Sequence, residues 1–461
     1  MTDISRVLSR ADENLPSSLD KLFELLRIQS ISTDPAFKAD VRKAAEWLAA
    51  YLNAMGFTAT VRDTTGHPMV VAHHDGASPA APHLLFYGHY DVQPVDPIEL
   101  WQDDPFTPAI KTGDSGRKII TGRGTSDDKG QLMTFVEACR AYKETEGALP
   151  CRITILFEGE EESGSPSLKP FLEAHADELK ADFALVCDTG MWDPETPAIA
   201  AALRGLVGEE IVVTAADRDL HSGMFGGAAA NPIHILSKIL AGLHDETGKV
   251  TLPGFYDGVE ETPADIRANW DRLGATTETF LGEIGLSVPS GEKGRSVLEL
   301  TWARPTAEVN GIVGGYTGEG FKTVIAAKAS AKVSFRLVGK QDPAAIRESF
   351  RAYVRAKLPA DCSVEFHPHG GSPAIQLPYD SALLNKAKDA LSDEWPKPAV
   401  IIGMGGSIPI VGDFQKLLGM ESLLVGFGLS DDRIHSPNEK YELNSFHKGI
   451  RSWVRILQAL A

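Results

Sequence analysis

Four cysteines in 461 residues are too few and too scattered to staple a fold. Cys139, Cys151, Cys187 and Cys362 form no C-x-x-C pair, so neither a thiolate zinc site nor a disulfide framework is expected. They read as small buried residues of a reducing compartment. Long apolar runs are missing as well: nothing approaches a membrane span, and the opening MTDISRVLSRADENLP has no apolar signal core. Positive charge is scarce, with 45 lysines and arginines against 63 acids and a formal net charge of −18. That balance excludes nucleic acid, whose phosphates need a basic face, but not an acidic small substrate, for which one local cation cluster is enough. The expectation is a soluble cytoplasmic protein that binds neither nucleic acid nor membrane.

Other absences prune the chemistry. No H-E-x-x-H pair occurs, which removes the zincin type of metalloprotease. G-D-S-G at 113–116 lies between two short strand patterns, FTPAIK and KIITG, where these residues turn the chain and no nucleophilic serine is needed. GGSIP around Ser407 lacks the final glycine of a nucleophile elbow. GRGTSDDKG opens like a dinucleotide fingerprint, but its sixth position is Asp127. Taken alone, two adjacent acids beside Lys129 read as a solvated loop. Internal repeats and low-complexity segments are absent.

What is present is an ordinary globular composition, 43% hydrophobic and 23% charged, in a chain too long for one compact core. PSSLDKLFELLRI, with Ser17 or Ser18 as cap, and ADVRKAAEWLAAYLNAMG, stopped by Gly56, predict two N-terminal helices. Short apolar runs then alternate with helical patterns, the signature of an α/β fold with a mostly parallel sheet and helices on both faces. From about Gly208 the texture changes. EEIVVTA, a helix capped by Asn231, a long irregular excursion, AKASAKVSFRLV, a second helix and CSVEFH predict a small antiparallel α+β insert, with GGSPAIQLP as return linker. The domain boundaries expected are 1–207 and 376–461 for the larger domain and 208–375 for the insert.

Four apolar runs carry the functional argument. HLLFYG ends at His89, with Asp91 two residues on; FALVC ends at Asp188; SLLVGFG precedes a loop bearing His435; RITILF runs into EGEEESGS. Open α/β sheets bind ligands beyond the carboxyl ends of their strands. Each of these ends delivers a metal-competent side chain. His89, Asp127, Glu161 or Glu162, Asp188 and His435 together fit two divalent ions better than one, because three carboxylates, one of them bridging, neutralise that charge along with a hydroxide. The residues themselves leave open which of Glu158, Glu160, Glu161 and Glu162 does what. His221, in a glycine-rich loop, reads as polar surface, and Arg336, opposite in phase to Val333 and Phe335, as solvent-facing.

GHYDVQP, GRGTSDDKG, EGEEESGS, DLHSG, GGYTGEG, GGSIP and HSPNE, in this order, resemble the M20 family of di-zinc metallopeptidases, and within it the cytosolic non-specific dipeptidase and carnosine dipeptidase-like branch. The resemblance covers the chain from about Leu15 to its end. It implies a catalytic domain with an inserted ferredoxin-like lid and dimerisation domain, and two divalent ions per subunit, zinc first and manganese or cobalt also suited. His89, Asp127 and Asp188 would hold one ion, and Asp127, Glu162 and His435 the other. Glu161 would be the general base on the attacking water, Asp91 would orient His89, and His221, arriving from the partner of a homodimer in some members, would stabilise the oxyanion. Arg336 would grip the substrate carboxylate, with Gly405, Gly406 and Ser407 lining that pocket. The implied reaction is cleavage of dipeptides or short peptides to release a C-terminal amino acid. Met404 stands where the branch has a glutamate, which leaves room for an N-acyl-amino-acid deacylase. A non-catalytic peptide-binding relative is disfavoured, because every proposed ligand and the base are present.

Overall fold

The computed structural model describes residues 4–406 and 408–461. It divides into two compact units, one made of Met1–Ala201, Leu377–Ile401 and Asp413–Ala461, the other of Ala202–Gln376 and Ile402–Gly412.

In the first unit, seven strands lie side by side in the order Thr58–Arg62, Met69–His74, Arg152–Glu158, His83–His89, Phe183–Val186, Glu421–Val425 and Ala198–Leu203. The four central ones are parallel, and the flanking pairs are antiparallel. His83–His89 and Arg152–Glu158 are buried almost end to end, as expected of central strands covered on both faces. Parallel pairing collects their carboxyl ends on one edge: His89 lies opposite Glu158, and Tyr87 opposite Val186.

The first helix runs Ile4–Leu26 straight through Pro16, so Ser17 and Ser18 are interior residues and cap nothing. Burial of Val7, Leu8 and Ala11 anchors the earlier turns and outweighs the roughly 3 kcal/mol that an internal proline costs. Ser18 is buried and donates to Glu137 at 2.6 Å. The second helix, Lys38–Ala54, ends as expected at Gly56, whose φ is +89°.

GRGTSDDKG departs from the sequence reading. The segment is buried, Asp128 and Lys129 completely so, and a long buried helix, Lys129–Glu146, starts there. The Lys129 ammonium donates to the carbonyls of Ile28 at 2.7 Å and Leu25 at 3.3 Å, and its burial pushes it down to about 7. Of the four free cysteines, Cys139, Cys151 and Cys187 are buried as expected, whereas Cys362 is only half-buried. Among the described residues no helix is long and apolar enough to cross a membrane.

A rim contact on this unit yields a pH prediction. Glu178 takes a two-pronged contact from Arg62, at 2.7 and 2.6 Å, and a third from His73 at 2.9 Å. These partners, Arg62 first, lower its carboxyl from 4.5 to about 2. The folded value lies below the unfolded one, so the contribution is complete above pH 4.5 and is lost as the pH falls toward 2. After solvent screening it amounts to about 1 kcal/mol. The stability difference between wild type and Glu178→Gln in urea should therefore shrink by more than half between about pH 6.5 and about pH 3.

The second unit is a four-stranded antiparallel sheet in the order Thr306–Gly314, Lys328–Leu337, Gly205–Thr214, Ser363–Ser372. Helices Pro232–Ala241, capped by Asn231, and Pro343–Ala356, capped by Asp342, cover one face. This is the βαββαβ order of a ferredoxin-like fold. Residues 205–214 alternate strictly between buried and half-buried, as one covered face demands. Residues 370–372, read as linker, continue the last strand instead.

Candidate active site

Each side chain singled out on the first unit leaves a strand end or an adjoining loop. His89 closes its strand and is fully buried. Its Nδ1 lies 3.1 Å from the Asp91 carbonyl oxygen and 3.4 Å from the Asp91 carboxylate, and its Nε2 lies 3.1 Å from Asp127 Oδ1. Asp91 also does something the sequence did not disclose. Its two carboxylate oxygens accept the backbone N–H groups of Glu161 (3.2 Å) and Glu162 (3.0 Å), which fixes the short turn Glu161–Ser163 after the central strand.

Donor atoms of His89, Asp127 and Asp188 lie within 4.8 Å of one another, and so do those of Asp127, Glu162 and His435. Asp127 is common to both groups. His435 Nε2 is 2.9 Å from Asp127 Oδ2 and 3.2 Å from Glu162 Oε2. Glu161, the next-door neighbour of Glu162, belongs to neither group. The four glutamates thus separate. Glu158 is buried, bonded to Tyr87 and to Ser165 (2.9 Å), and burial pushes it up to about 7. Glu160 is buried and accepts the N–H groups of His67 (2.7 Å) and Ser167 (3.1 Å). A Cβ on Gly66 would sit 1.5 Å from a Glu160 carboxylate oxygen, so any larger residue there would displace that carboxylate.

Electrostatics test whether cations fit. Burial, reinforced by the neighbouring carboxylates, pushes Glu161 up to about 8 and Asp188 up to about 6. His435 is raised to about 10 by its hydrogen bonds to Asp127 and Glu162. Burial alone would lower His89, but the carboxylates of Asp127 and Asp91 outweigh it and raise it well above the ordinary histidine value. The upward shifts of Glu161, Asp188 and both imidazoles mark a cluster short of positive charge. The donor set of two imidazoles and three carboxylates suits zinc, manganese or cobalt. The residues fit divalent ions.

Sequence reasoning missed Gln93, which donates to Glu162 Oε2 at 2.7 Å, and the buried carboxylate of Glu439, which accepts three N–H groups of the Asp127 loop. Glu439 closes the HSPNE motif, and an acid one residue from an asparagine in a loop carries no mark of burial.

On the second unit, His221 is exposed in the two-residue strand Leu220–His221, and its Nδ1 accepts the N–H of Gly223 at 3.0 Å. Arg336 is half-buried, against the expectation of a solvent-facing side chain, and lines a cavity of about 630 Å³ together with Arg204, Arg304, Glu292, Asn310 and Phe280. The polar face of its strand meets this cavity. Burial, and next the Arg336 charge, push Arg204 down to about 10. Arg204 Nε donates to the Gly405 carbonyl at 3.2 Å, and a Cβ on Gly405 would come 2.9 Å from its guanidinium. Gly406 is exposed, and Ser407 lies outside the described residues.

The family model for peptidase family M20/M25/M40 matches residues 85–459. The chain is similar to the Cys-Gly metallodipeptidase of Candida albicans, with 30% identity over 96% of this chain and 94% of that one. It is 26% identical to the human Beta-Ala-His dipeptidase over 95% of this chain and 85% of that protein. Among solved structures, the M20 family metallo-carboxypeptidase of Sulfolobus solfataricus superposes with a TM-score of 0.81 at 29% identity, covering 96% of this chain and 99% of that one. The chain belongs to peptidase family M20/M25/M40.

Proposed function

We propose that the protein is a metal-dependent hydrolase that cleaves dipeptides or short peptides and releases the C-terminal amino acid. The observation that carries this reading is that Asp127 is shared by two ligand groups while Glu161, beside the ligand Glu162, is left outside both. The names of similar proteins, two dipeptidases and a carboxypeptidase, support the substrate class.

His89, Asp127 and Asp188 would hold one ion, and Asp127, Glu162 and His435 the other, with zinc the first choice. Such ions supply Lewis acidity to a water and to the scissile carbonyl. Glu161 accepts the proton of the attacking water and passes it to the leaving amine. Asp91 orients the His89 ring and holds the turn that presents Glu161. His221 donates to the developing oxyanion, and Arg336, with Gly405, Gly406 and Ser407, receives the C-terminal carboxylate. In this reading 1–207 and 376–461 form the catalytic domain and 208–375 the lid.

A homodimer is part of the reading. Strand Thr306–Gly314 is a sheet edge, and Val309, Ile312 and Val313 along it are exposed by 41, 61 and 67%. An apolar open edge of this kind suits pairing with a second copy. Four free thiols support a reducing, cytoplasmic location.

Turnover of matched substrates tests the proposal: a dipeptide, its C-terminal amide, a tripeptide and an N-acyl amino acid. The dipeptide should be cleaved and the amide resist; equal cleavage of the amide would overturn the carboxylate requirement. The second reading, an N-acyl-amino-acid deacylase, is favoured by Met404 at the end of strand Val400–Met404 and gains if acylated substrates are preferred. For Arg336→Lys, KM for the dipeptide should rise about 10- to 100-fold with kcat nearly unchanged, because a point charge replaces a two-pronged fork. Steady-state kinetics separate the two parameters.

A further inference from the structure

We propose that Glu439 is a positioning residue that locks the Asp127 loop to the His435 loop, and so sets how tightly an ion at Asp127, Glu162 and His435 is held. The inference rests on the ligand assignment above.

His435 sits at the tip of a loop that has little packing of its own. Its side chain is 53% exposed, and Arg433, Ile434 and Ser436 around it are exposed too. The backbone is strained: Arg433, His435 and Asn438 are non-glycine residues at φ of 56°, 60° and 64°. Left-handed conformations of this kind persist only where the surroundings over-determine them. The determinants lie at the base of the loop.

Glu439 is fully buried and saturates both carboxylate oxygens on the opposite loop. Oε1 accepts the N–H groups of Ser126 (2.8 Å) and Asp127 (3.1 Å). Oε2 accepts the N–H of Gly124 (2.9 Å) and Nη1 of Arg123 (2.9 Å). Arg123 in turn donates to the Pro94 carbonyl at 2.9 Å and lies over the Trp101 ring. A second buried acid repeats the link: Asp432 accepts Ser126 Oγ at 2.8 Å and Lys440 Nζ at 2.8 Å, while the Lys440 N–H closes the loop on the Asp432 carbonyl at 3.0 Å. Asn438 pins the outer side, accepting the Gln102 N–H at 2.7 Å and donating to the Leu100 carbonyl at 2.8 Å. One carboxylate, four residues from His435 in sequence, therefore fixes the backbone of Asp127, whose Oδ2 stands 2.9 Å from His435 Nε2. His89 and Asp188 stand outside this clasp, on ends of the central sheet.

Glutamine at 439 keeps the shape but turns an NH2 group toward at least one of four donors. The test is stepwise Co²⁺ binding to the chelated protein, followed by calorimetry and visible absorption. In wild type two ions should bind. In Glu439→Gln one of the two Kd values should rise about 10- to 100-fold while the other stays within about threefold. Asn438→Ala, which removes the outer pins and places alanine at a left-handed φ of 64°, should shift the same Kd about three- to tenfold. A merely structural role would lower the melting temperature and leave the ratio of the two constants unchanged. Unchanged constants, or equal weakening of both, overturn the proposal. If Glu439→Gln does not fold, Asn438→Ala alone decides, and wild-type constants in that variant overturn it. Fewer than two ions in wild type would overturn the ligand assignment itself, and the clasp with it.

Discussion

Replacing Glu161 by glutamine should lower dipeptide turnover by about 1,000-fold or more while leaving the metal content of the protein unchanged. The two halves of that expectation come from different facts. Glu161 stands outside both ligand groups, so its carboxylate is not needed to hold an ion. Its backbone N–H is bound by Asp91, a contact that glutamine retains, so the turn and the neighbouring Glu162 stay in place. What glutamine would remove is the basic oxygen that the proposed mechanism uses to accept a proton from water. Turnover measured alongside elemental analysis separates the possibilities. Loss of an ion together with activity would make Glu161 a ligand and would exchange its role with that of Glu162.

Asp127→Ala should have the second large effect, through the metals themselves. It is the one residue in both ligand groups, so its removal should cost both ions and reduce turnover by at least about 1,000-fold. Glu162→Ala and Asp188→Ala each remove a ligand from a single group and should leave one ion bound. Burial alone would raise the Asp127 carboxyl, yet hydrogen bonds from His435 and His89 hold it well below the carboxylate range. That direction favours the charged carboxylate that the proposed shared ligand requires. Metal counts of two, one, one and none for wild type, the two single-group variants and Asp127→Ala are the expected series. A variant at Asp127 that retains both ions would contradict the shared-ligand arrangement.

Much of this was legible in the sequence for a physical reason. Central strands are buried on both faces, so HLLFYG, RITILF, FALVC and SLLVGFG appear as unbroken apolar runs, and polar residues at their carboxyl ends stand out. The parallel sheet then gathers those ends. What stayed hidden depended on long-range contacts. Glu158 and Glu160 look like Glu161 and Glu162 in composition, and only their burial against Tyr87, His67 and Ser167 separates them. Lys129 reads as solvated until the carbonyls of Leu25 and Ile28, about a hundred residues away, are seen to cover it. Arg336 has the right phase for a surface residue, but phase cannot tell solvent from a cavity. Glu439 was invisible for the same reason, since its donors are residues 123–127, 312–316 positions earlier in the chain.

The most direct test of the central claim is a titration of activity. Protein freed of metal by chelation is assayed on a dipeptide as zinc is restored in fractions of an equivalent. Turnover should be absent at the start and reach its maximum as the second equivalent per chain is added. Full turnover in the chelated protein, or a maximum at one equivalent, would contradict a reaction carried out at two ions sharing Asp127.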